Sequence, residues 1–259
     1  MDVNAKGLRV IITAGAGGIG KVTAETFLQS GAKVYISDVD DAALRALATS
    51  RPALGVSRCD VSDVAQVNTM FDAALQFLGG LDVMINNAGI AGPTAKVEDV
   101  TPDDWDRTIA VNLNGSFYCT RRAVPALKAA GGGSIVNLSS SAGRLGFPLR
   151  TPYSSAKFAL VGFTESLAME LGPDNIRVNC IQPGIVEGDR IDRVIEAKSN
   201  SLGMTFEAYR ARLLSHVSLR RMVSAQDIAN TILFLCSEAG QNISGQALPV
   251  CGNIETLGL

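Results

Sequence analysis

The chain has a single histidine, His216. That scarcity removes metal centres built on imidazole and weakens any Ser-His-Asp hydrolase reading, and no metal is expected. Cysteines number five (Cys59, Cys119, Cys180, Cys236, Cys251), an odd set with no Cys-x-x-Cys pair. They read as reduced, buried or half-buried residues of a cytoplasmic protein rather than a disulfide framework. Aromatic residues make up only 5% of the chain, so its core must be mostly aliphatic. No apolar run approaches the roughly 18 residues needed to cross a membrane, and Met1 to Gly7 carries no signal-peptide core. The formal charge of −2 and a pI of about 5.5 give no electrostatic reason to expect nucleic acid or an anionic membrane. What remains is 259 residues, 47% of them hydrophobic, enough for one large α/β domain.

The chain is organised around Tyr153-Ser154-Ser155-Ala156-Lys157. This pentad opens an apolar-periodic run, Phe158 to Leu171, that stops at Gly172-Pro173 as a helix would. On a helix Tyr153 and Lys157 share a face. A free phenol ionises near pH ~10, and bringing that to ~7 takes about 4 kcal/mol of differential stabilisation, which a desolvated site with adjacent cations can supply. A chance Tyr and Lys on a surface helix would look the same in isolation, although Tyr35, Tyr118 and Tyr209 have no Lys at that spacing.

The preceding half supplies the context. Leu8 to Thr13 reads as a buried strand, Ala14-Gly15-Ala16-Gly17-Gly18-Ile19-Gly20 as a glycine loop, and Lys21 to Gly31 as a helix. In that order they form a dinucleotide cradle, in which backbone approaches the pyrophosphate at a helix N-terminus. A second strand, Lys33 to Ser37, ends in Asp38, 18 residues after Gly20. A carboxylate there accepts from ribose hydroxyls and repels a 2′-phosphate, so NAD is expected over NADP; the competing reading makes Asp38 a cap for the next helix. Asp41 to Ser50 reads as that helix, and Ala53 to Arg58 as a third strand. Asp60 and Val61 follow it, where a carboxylate can meet the adenine amino group. Ser62 to Leu78 reads as a helix and Leu81 to Ile85 as a fourth strand, running into Asn86-Asn87-Ala88-Gly89. Small residues at that strand end suit a cofactor lying across a sheet. Asp103 to Ala130 is a long helical pattern in which Asn112, next to Asn114-Gly115, should distort the helix. Ser134 to Leu138 and Ile176 to Ile181 read as further strands, Ala225 to Ser237 as a helix and Gln246 to Val250 as a seventh strand.

With these residues in order, the chain resembles the short-chain dehydrogenase/reductase family over nearly its whole length. The nucleotide motif runs from Thr13 to Gly20, Asn-Asn-Ala-Gly from Asn86 to Gly89, and the Tyr-x-x-x-Lys pair is Tyr153 and Lys157. The family's catalytic Asn falls on Asn112, its Ser on Ser140, and its Pro-Gly element on Pro183-Gly184. The resemblance implies one doubly wound Rossmann-type α/β domain, with seven parallel strands in the order 3-2-1-4-5-6-7 and helices on both faces. It implies an NAD-dependent enzyme of the homotetrameric or homodimeric kind that interconverts a secondary alcohol and a ketone. Tyr153 would be the acid/base and Ser140 would orient the substrate oxygen. Lys157 would hold the nicotinamide ribose, and Asn112 would support a water that relays protons.

Cofactor contacts are expected at Gly15, Gly17, Gly18, Ile19, Gly20, Asp38, Asp60, Val61, Asn87, Ala88, Gly89, Tyr153, Lys157, Pro183, Gly184 and Val186. Three positions depart from the family pattern. Ala14 replaces a glycine, which is tolerable where φ is negative. Gly188 stands where a Thr usually touches the nicotinamide carboxamide, so that contact should come from backbone near Val186. Cys251-Gly252 replaces an Asp-Gly.

Residues 185–222 read as one or two short helices forming a lid over the site. The lid holds seven basic and five acidic residues in a chain that is acidic overall, and Arg150 adds a cation just before Tyr153. Solvated helix faces explain this equally simply, but an arginine fork also fits carboxylate oxygens, so a small polar substrate, including anionic sugars, polyols or hydroxy acids, is favoured. The rivals are a 3-oxoacyl-thioester reductase, against which Asp38 argues, and a non-catalytic NAD sensor or scaffold, against which the complete catalytic set argues.

Overall fold

The computed structural model describes residues 3–257. Their order is β1 (Arg9–Thr13), α1 (Gly18–Gln29), β2 (Lys33–Asp38), α2 (Asp41–Ser50), β3 (Gly55–Arg58), α3 (Val64–Leu78) and β4 (Val83–Asn86). Then come α4 (Pro102–Ile109), α5 (Gly115–Ala129), β5 (Gly133–Leu138), α6 (Thr151–Leu171) and β6 (Ile176–Pro183). The chain closes with α7 (Asp189–Leu202), α8 (Phe206–Ser215), α9 (Ala225–Cys236) and β7 (Ala247–Val250). All seven strands pair in parallel in the order β3-β2-β1-β4-β5-β6-β7, as expected.

Both faces of the sheet are buried, so the middles of its central strands read as continuous apolar runs (Val10 to Ile12, Val34 to Ile36, Val83 to Ile85) rather than alternating. Val10 and Ile12 enter one layer with Phe27, Ile228 and Ile232 of α1 and α9. Ile11 enters the other with Phe71, Leu127 and Leu167 of α3, α5 and α6. Phe27, Phe71 and Leu127 are fully buried, each worth about 1.5–3 kcal/mol against exposure.

Helix starts sit where short polar side chains cap them. Asp40 caps α2, Asp63 caps α3, Thr101 caps α4 ahead of Pro102, and Ser224 with Asp227 forms a capping box on α9. Asp63 is why α3 begins at Val64 rather than at Ser62. α1 differs: its N-cap is Gly17, with no side-chain cap and no acid in its first turn. Its leading N–H groups are therefore directed at whatever occupies the loop.

The long pattern from Asp103 to Ala130 is broken, as its asparagines suggested. Between α4 and α5 lies a π-helical turn, Ala110–Asn114. The cause is local competition. Asn112 Nδ2 donates to the Thr108 carbonyl at 2.9 Å, the acceptor that the regular ladder would reserve for the Asn112 backbone N–H. The ladder widens by one residue and turns Asn112 inward, fully buried.

The sheet order places the topological switch between β1 and β4, and ligands of such sheets bind beyond the strand ends at that crevice. Thr13, Asn86 and Leu138 end the three strands there, so the loops that follow them meet.

Candidate active site

Each stretch singled out in the sequence arrives at this edge. The glycine loop turns tightly against β2: a Cβ on Gly15 would stand 2.6 Å from Ile36 Cβ, and one on Gly20 would collide with the Ala14 carbonyl. Gly17 and Gly18 face open space and are exposed, and Ile19 is anchored in the core. This is a cradle whose closest approaches only glycine allows. Ala14 does not have the negative φ that would make it comfortable; it sits at φ +50°. A left-handed Ala costs about 1–2 kcal/mol. Ala14→Gly is therefore expected to raise stability by about 1 kcal/mol after the glycine's larger unfolded-state entropy is counted. A urea denaturation midpoint that fell would refute this.

Asp38 turns toward the loop. Its carboxylate accepts from Ala16 N at 3.0 Å and Asp40 N at 3.1 Å, and the cap of α2 is Asp40 instead. Arg58, exposed, lies across β2–β3 from Asp38, a neighbour 20 residues on that only the strand register brings there. Burial pushes the Asp60 carboxyl up, but the hydrogen bonds from Ser62 and the 3.0 Å ion pair from Arg107 on α4 together outweigh it and hold the carboxyl below the usual range. Val61 is buried directly beneath Gly115.

After β4, Asn87 Nδ2 donates to both Thr13 O and Ala14 O at 3.0 Å, while Thr13 Oγ1 accepts from Asn87 N and Ala88 N. These bonds fasten the Asn-Asn-Ala-Gly loop to the glycine loop. The preceding Asn86 continues inward through Asn137 and Thr120, and Asn137 reaches Thr164 on α6. This buried polar chain ties the Tyr153 helix to the sheet. Two of the residues expected to be catalytic meet at Gly89: a Cβ there would lie 2.7 Å from Asn112 Oδ1 and 3.3 Å from Lys157 Nζ.

Lys157 is 4% exposed, donates to the Leu138 carbonyl at 2.7 Å, and its Nζ lies 5.7 Å from the centre of the Tyr153 ring. Tyr153 stands in the first turn of α6, where the helix dipole also favours negative charge. Asn112 Nδ2 is spent on Ile90 O and Thr108 O, whereas its Oδ1 is buried and accepts no hydrogen bond.

Three consecutive serines follow β5, and the structure separates them. Ser139 is buried and donates to the Lys157 carbonyl, and Ser141 is buried and donates to the Pro183 carbonyl. Ser140, half-buried, accepts from Ala142 N at 3.1 Å, which leaves its hydroxyl hydrogen to donate. At the end of β6, Gly184 packs so closely on Cys251 that a Cβ would stand 2.6 Å from that residue's own. Val186, half-buried, bridges Val223. Gly188 has φ +129°, which disfavours a side chain, so a Thr could not stand there without strain.

Arg150 is engaged rather than held out to solvent. Its Nη2 donates to the Ala91 carbonyl at 2.6 Å, and its guanidinium carbon lies 5.3 Å from the Tyr153 ring centre and 5.4 Å from that of Phe147. Helices α7 and α8, in the segment expected to form a lid, carry their own apolar cluster, in which Ile195, Tyr209 and Leu214 pack with Val217, Cys251 and Ile254. Arg193, Arg210, Arg212, Arg220 and Arg221 are exposed, while the side chains of Asp189, Arg190 and Lys198 lie outside the described set. All five cysteines are unpaired and buried; burial pushes Cys59 and Cys236 up to about 11 and also raises Cys119 and Cys180. Among the described residues no helix is long and apolar enough to cross a membrane, and no cluster of His, Cys, Asp or Glu could hold a metal ion.

A glycine cradle and a Tyr-Lys helix meeting at one parallel sheet edge define a Rossmann-type oxidoreductase. Residues 14–252 match the family described as enoyl-(acyl carrier protein) reductase. Trans-4-hydroxycyclohexanecarboxylate dehydrogenase of Sinomonas cyclohexanicum is 37% identical over 96% of this chain and 92% of its own. A 7α-hydroxysteroid dehydrogenase complexed with NADH and 7-oxo glycochenodeoxycholic acid superposes with a TM-score of 0.89 and 33% identity, over 98% of this chain and 97% of that one. An actinorhodin polyketide ketoreductase with NADPH does so with a TM-score of 0.89 and 29% identity, over 94% and 95%. The chain belongs to the short-chain dehydrogenase/reductase family.

Proposed function

We propose that this protein is an NAD-dependent dehydrogenase that interconverts a secondary alcohol and a ketone on a small polar substrate. The observation that carries this reading is the convergence at Gly89 of Asn112 Oδ1 and Lys157 Nζ, with the Tyr153 ring within 5.7 Å of that ammonium. The residues present fit a dinucleotide. The cradle of Gly15, Gly17, Gly18, Ile19 and Gly20 takes the pyrophosphate at the uncapped start of α1, Asp38 takes the ribose hydroxyls, and Asp60 and Val61 border the adenine. Asn87, Ala88 and Gly89 line the sheet crossing, and Pro183, Gly184 and backbone near Val186 border the nicotinamide.

When bound, the nicotinamide supplies the hydride acceptor or donor. The protein's share is positioning and proton handling. Ser140 donates its hydroxyl hydrogen to the substrate oxygen. Tyr153 exchanges a proton with that oxygen, with the Lys157 ammonium favouring the phenolate. Lys157 also holds the ribose, and the unpartnered Asn112 Oδ1 supports a water that passes protons onward.

The chain works as one catalytic domain, with residues 185–222 as its lid. Homotetrameric or homodimeric assembly is supported by the apolar exposure of Phe117, Phe158 and Met169 on α5 and α6. The anionic preference rests on the lid arginines, since Arg150 is committed to Ala91 and Tyr153. A carboxylate-bearing substrate is named for one relative, and a bile-acid conjugate for one structural neighbour. The cytoplasm, as for a protein with reduced cysteines, is the proposed location.

A panel of sugars, polyols, hydroxy acids and acyl thioesters, assayed for NADH formation, tests the reading. A hydroxy acid should turn over faster than its neutral analogue, and Arg193→Ala or Arg221→Ala should raise KM for the acid alone. An unchanged acid-to-neutral ratio of kcat/KM in both variants returns these arginines to solvated surface. The second reading, a 3-oxoacyl-thioester reductase, is favoured by the family description and the ketoreductase neighbour; preference for NADPH and acyl thioesters in the same panel would select it. A non-catalytic NAD sensor would bind cofactor and turn over nothing in the panel.

A further inference from the structure

Arg150 lies outside the set of residues that the reaction above uses, yet its guanidinium is placed beside the reacting group with care. The chain reaches it through Leu149, a non-glycine residue at φ +66°, whose carbonyl accepts from Ala95 N at 3.0 Å. A strained residue of this kind persists only where its surroundings fix it, and such residues cluster at functional sites. Arg150 follows, with Nη2 on the Ala91 carbonyl and its guanidinium carbon over the Phe147 and Tyr153 rings, 5.4 Å and 5.3 Å from their centres. Two bonds, from residues 149 and 150, thus pin the loop after Gly89 to the turn that leads into α6.

The guanidinium is 5.3 Å from the Tyr153 ring centre and the Lys157 ammonium 5.7 Å. Lys157 comes from the phenol's own helix and Arg150 from the turn before it. Among the described residues, Gly89 to Ala91, Asn112 and Ser140 to Ala142 carry no charged side chain, and Arg144, which follows the turn packed on α6, donates to the Ile254 carbonyl. α4, which also packs against α6, carries Asp103, Asp104 and Asp106 exposed to water. Tyr153 is therefore bracketed by two cations.

We propose that Arg150 is a positioning residue for Tyr153, which fixes the ring through its cation–ring contact and, together with Lys157, lowers the proton affinity of the phenol oxygen. This rests on the reading of Tyr153 as the acid/base, and it gives the site a second cation that is present before any cofactor binds. The arginine fork matters as well as the charge, because the same group must reach the Ala91 carbonyl and lie along a ring.

The chain has only four tyrosines, Tyr35, Tyr118, Tyr153 and Tyr209. Labelling tyrosine with carbon-13 at Cζ therefore allows each to be titrated by NMR in the purified protein, with the Tyr153 signal assigned by its loss in Tyr153→Phe. Arg150→Met, which keeps the apolar stem, should raise the Tyr153 midpoint by about one pH unit, the lower end for a removed neighbouring charge at a half-buried site. Arg150→Lys should fall between the two. Tyr35, Tyr118 and Tyr209 should not move. If Arg150→Met fails to fold, Arg150→Gln, which keeps a donor for Ala91 and removes the charge, is read the same way.

A Tyr153 midpoint already low in the unmutated protein and unchanged in these variants overturns the proposal and leaves the acid/base reading standing. A midpoint near the ordinary value of ~10 in the unmutated protein overturns both.

Discussion

Tyr153→Phe should keep cofactor affinity within a few-fold of the unmutated protein and lose at least roughly 100-fold in turnover, the scale of lost general acid–base catalysis. The ring stays, so its contacts with Arg150 and Lys157 survive; only the oxygen proposed to exchange the proton is gone. Lys157→Ala should behave differently. It removes a buried cation that bonds the Leu138 carbonyl and faces Gly89, so cofactor affinity and turnover should fall together. Paired calorimetric titration and steady-state kinetics separate the two variants. Turnover near normal in Tyr153→Phe would assign the proton to another group, and undiminished cofactor affinity in Lys157→Ala would remove the lysine from the ribose.

The second large effect concerns the choice of cofactor. NAD should bind at least tenfold more tightly than NADP, about 1.4 kcal/mol or more, because a 2′-phosphate would approach the Asp38 carboxylate. Asp38→Ala should narrow this gap from both sides. NAD loses its ribose acceptor, and the loop loses the bond to Ala16 N. Meanwhile Arg58, aligned with position 38 across β2–β3, offers a cation to a bound phosphate. Adding Arg58→Ala should then take back the NADP gain without restoring NAD. Equal affinities of the unmutated protein for both cofactors would defeat the argument, and an Asp38→Ala variant with an unchanged ratio would move the selectivity elsewhere.

Much of the fold was legible because its signals are local. Apolar runs bounded by glycine gave the seven strands, and the asparagines at positions 112 and 114 marked the helix distortion in advance. Strand and helix ends shifted by a few residues where capping side chains such as Asp63 decided them. The order of the strands came from resemblance, since no local signal says that β1 and β4 are neighbours. Asp38 was readable as a ribose acid from its distance past the glycine loop, but only Asp40 on the cap of α2 retired the alternative.

By itself, then, the sequence determined the alternating α/β plan, the glycine cradle, the Tyr-Lys spacing and an aliphatic core with few titratable groups. These follow from periodicity, backbone sterics and residue chemistry, all properties of short stretches. Tertiary structure decided what depends on residues far apart in the chain. It left Ser140, the serine the resemblance pointed to, with its hydroxyl hydrogen uncommitted, while Ser139 and Ser141 donate theirs to the carbonyls of Lys157 and Pro183. It set Ala14 at a positive φ by closing the glycine loop on β2, and it brought Arg150 from the surface reading onto the Ala91 carbonyl and the Tyr153 ring. Hydrogen bonds across 18, 42 and 59 residues leave no periodic trace, so they become visible only when the folded backbone brings both ends to one place.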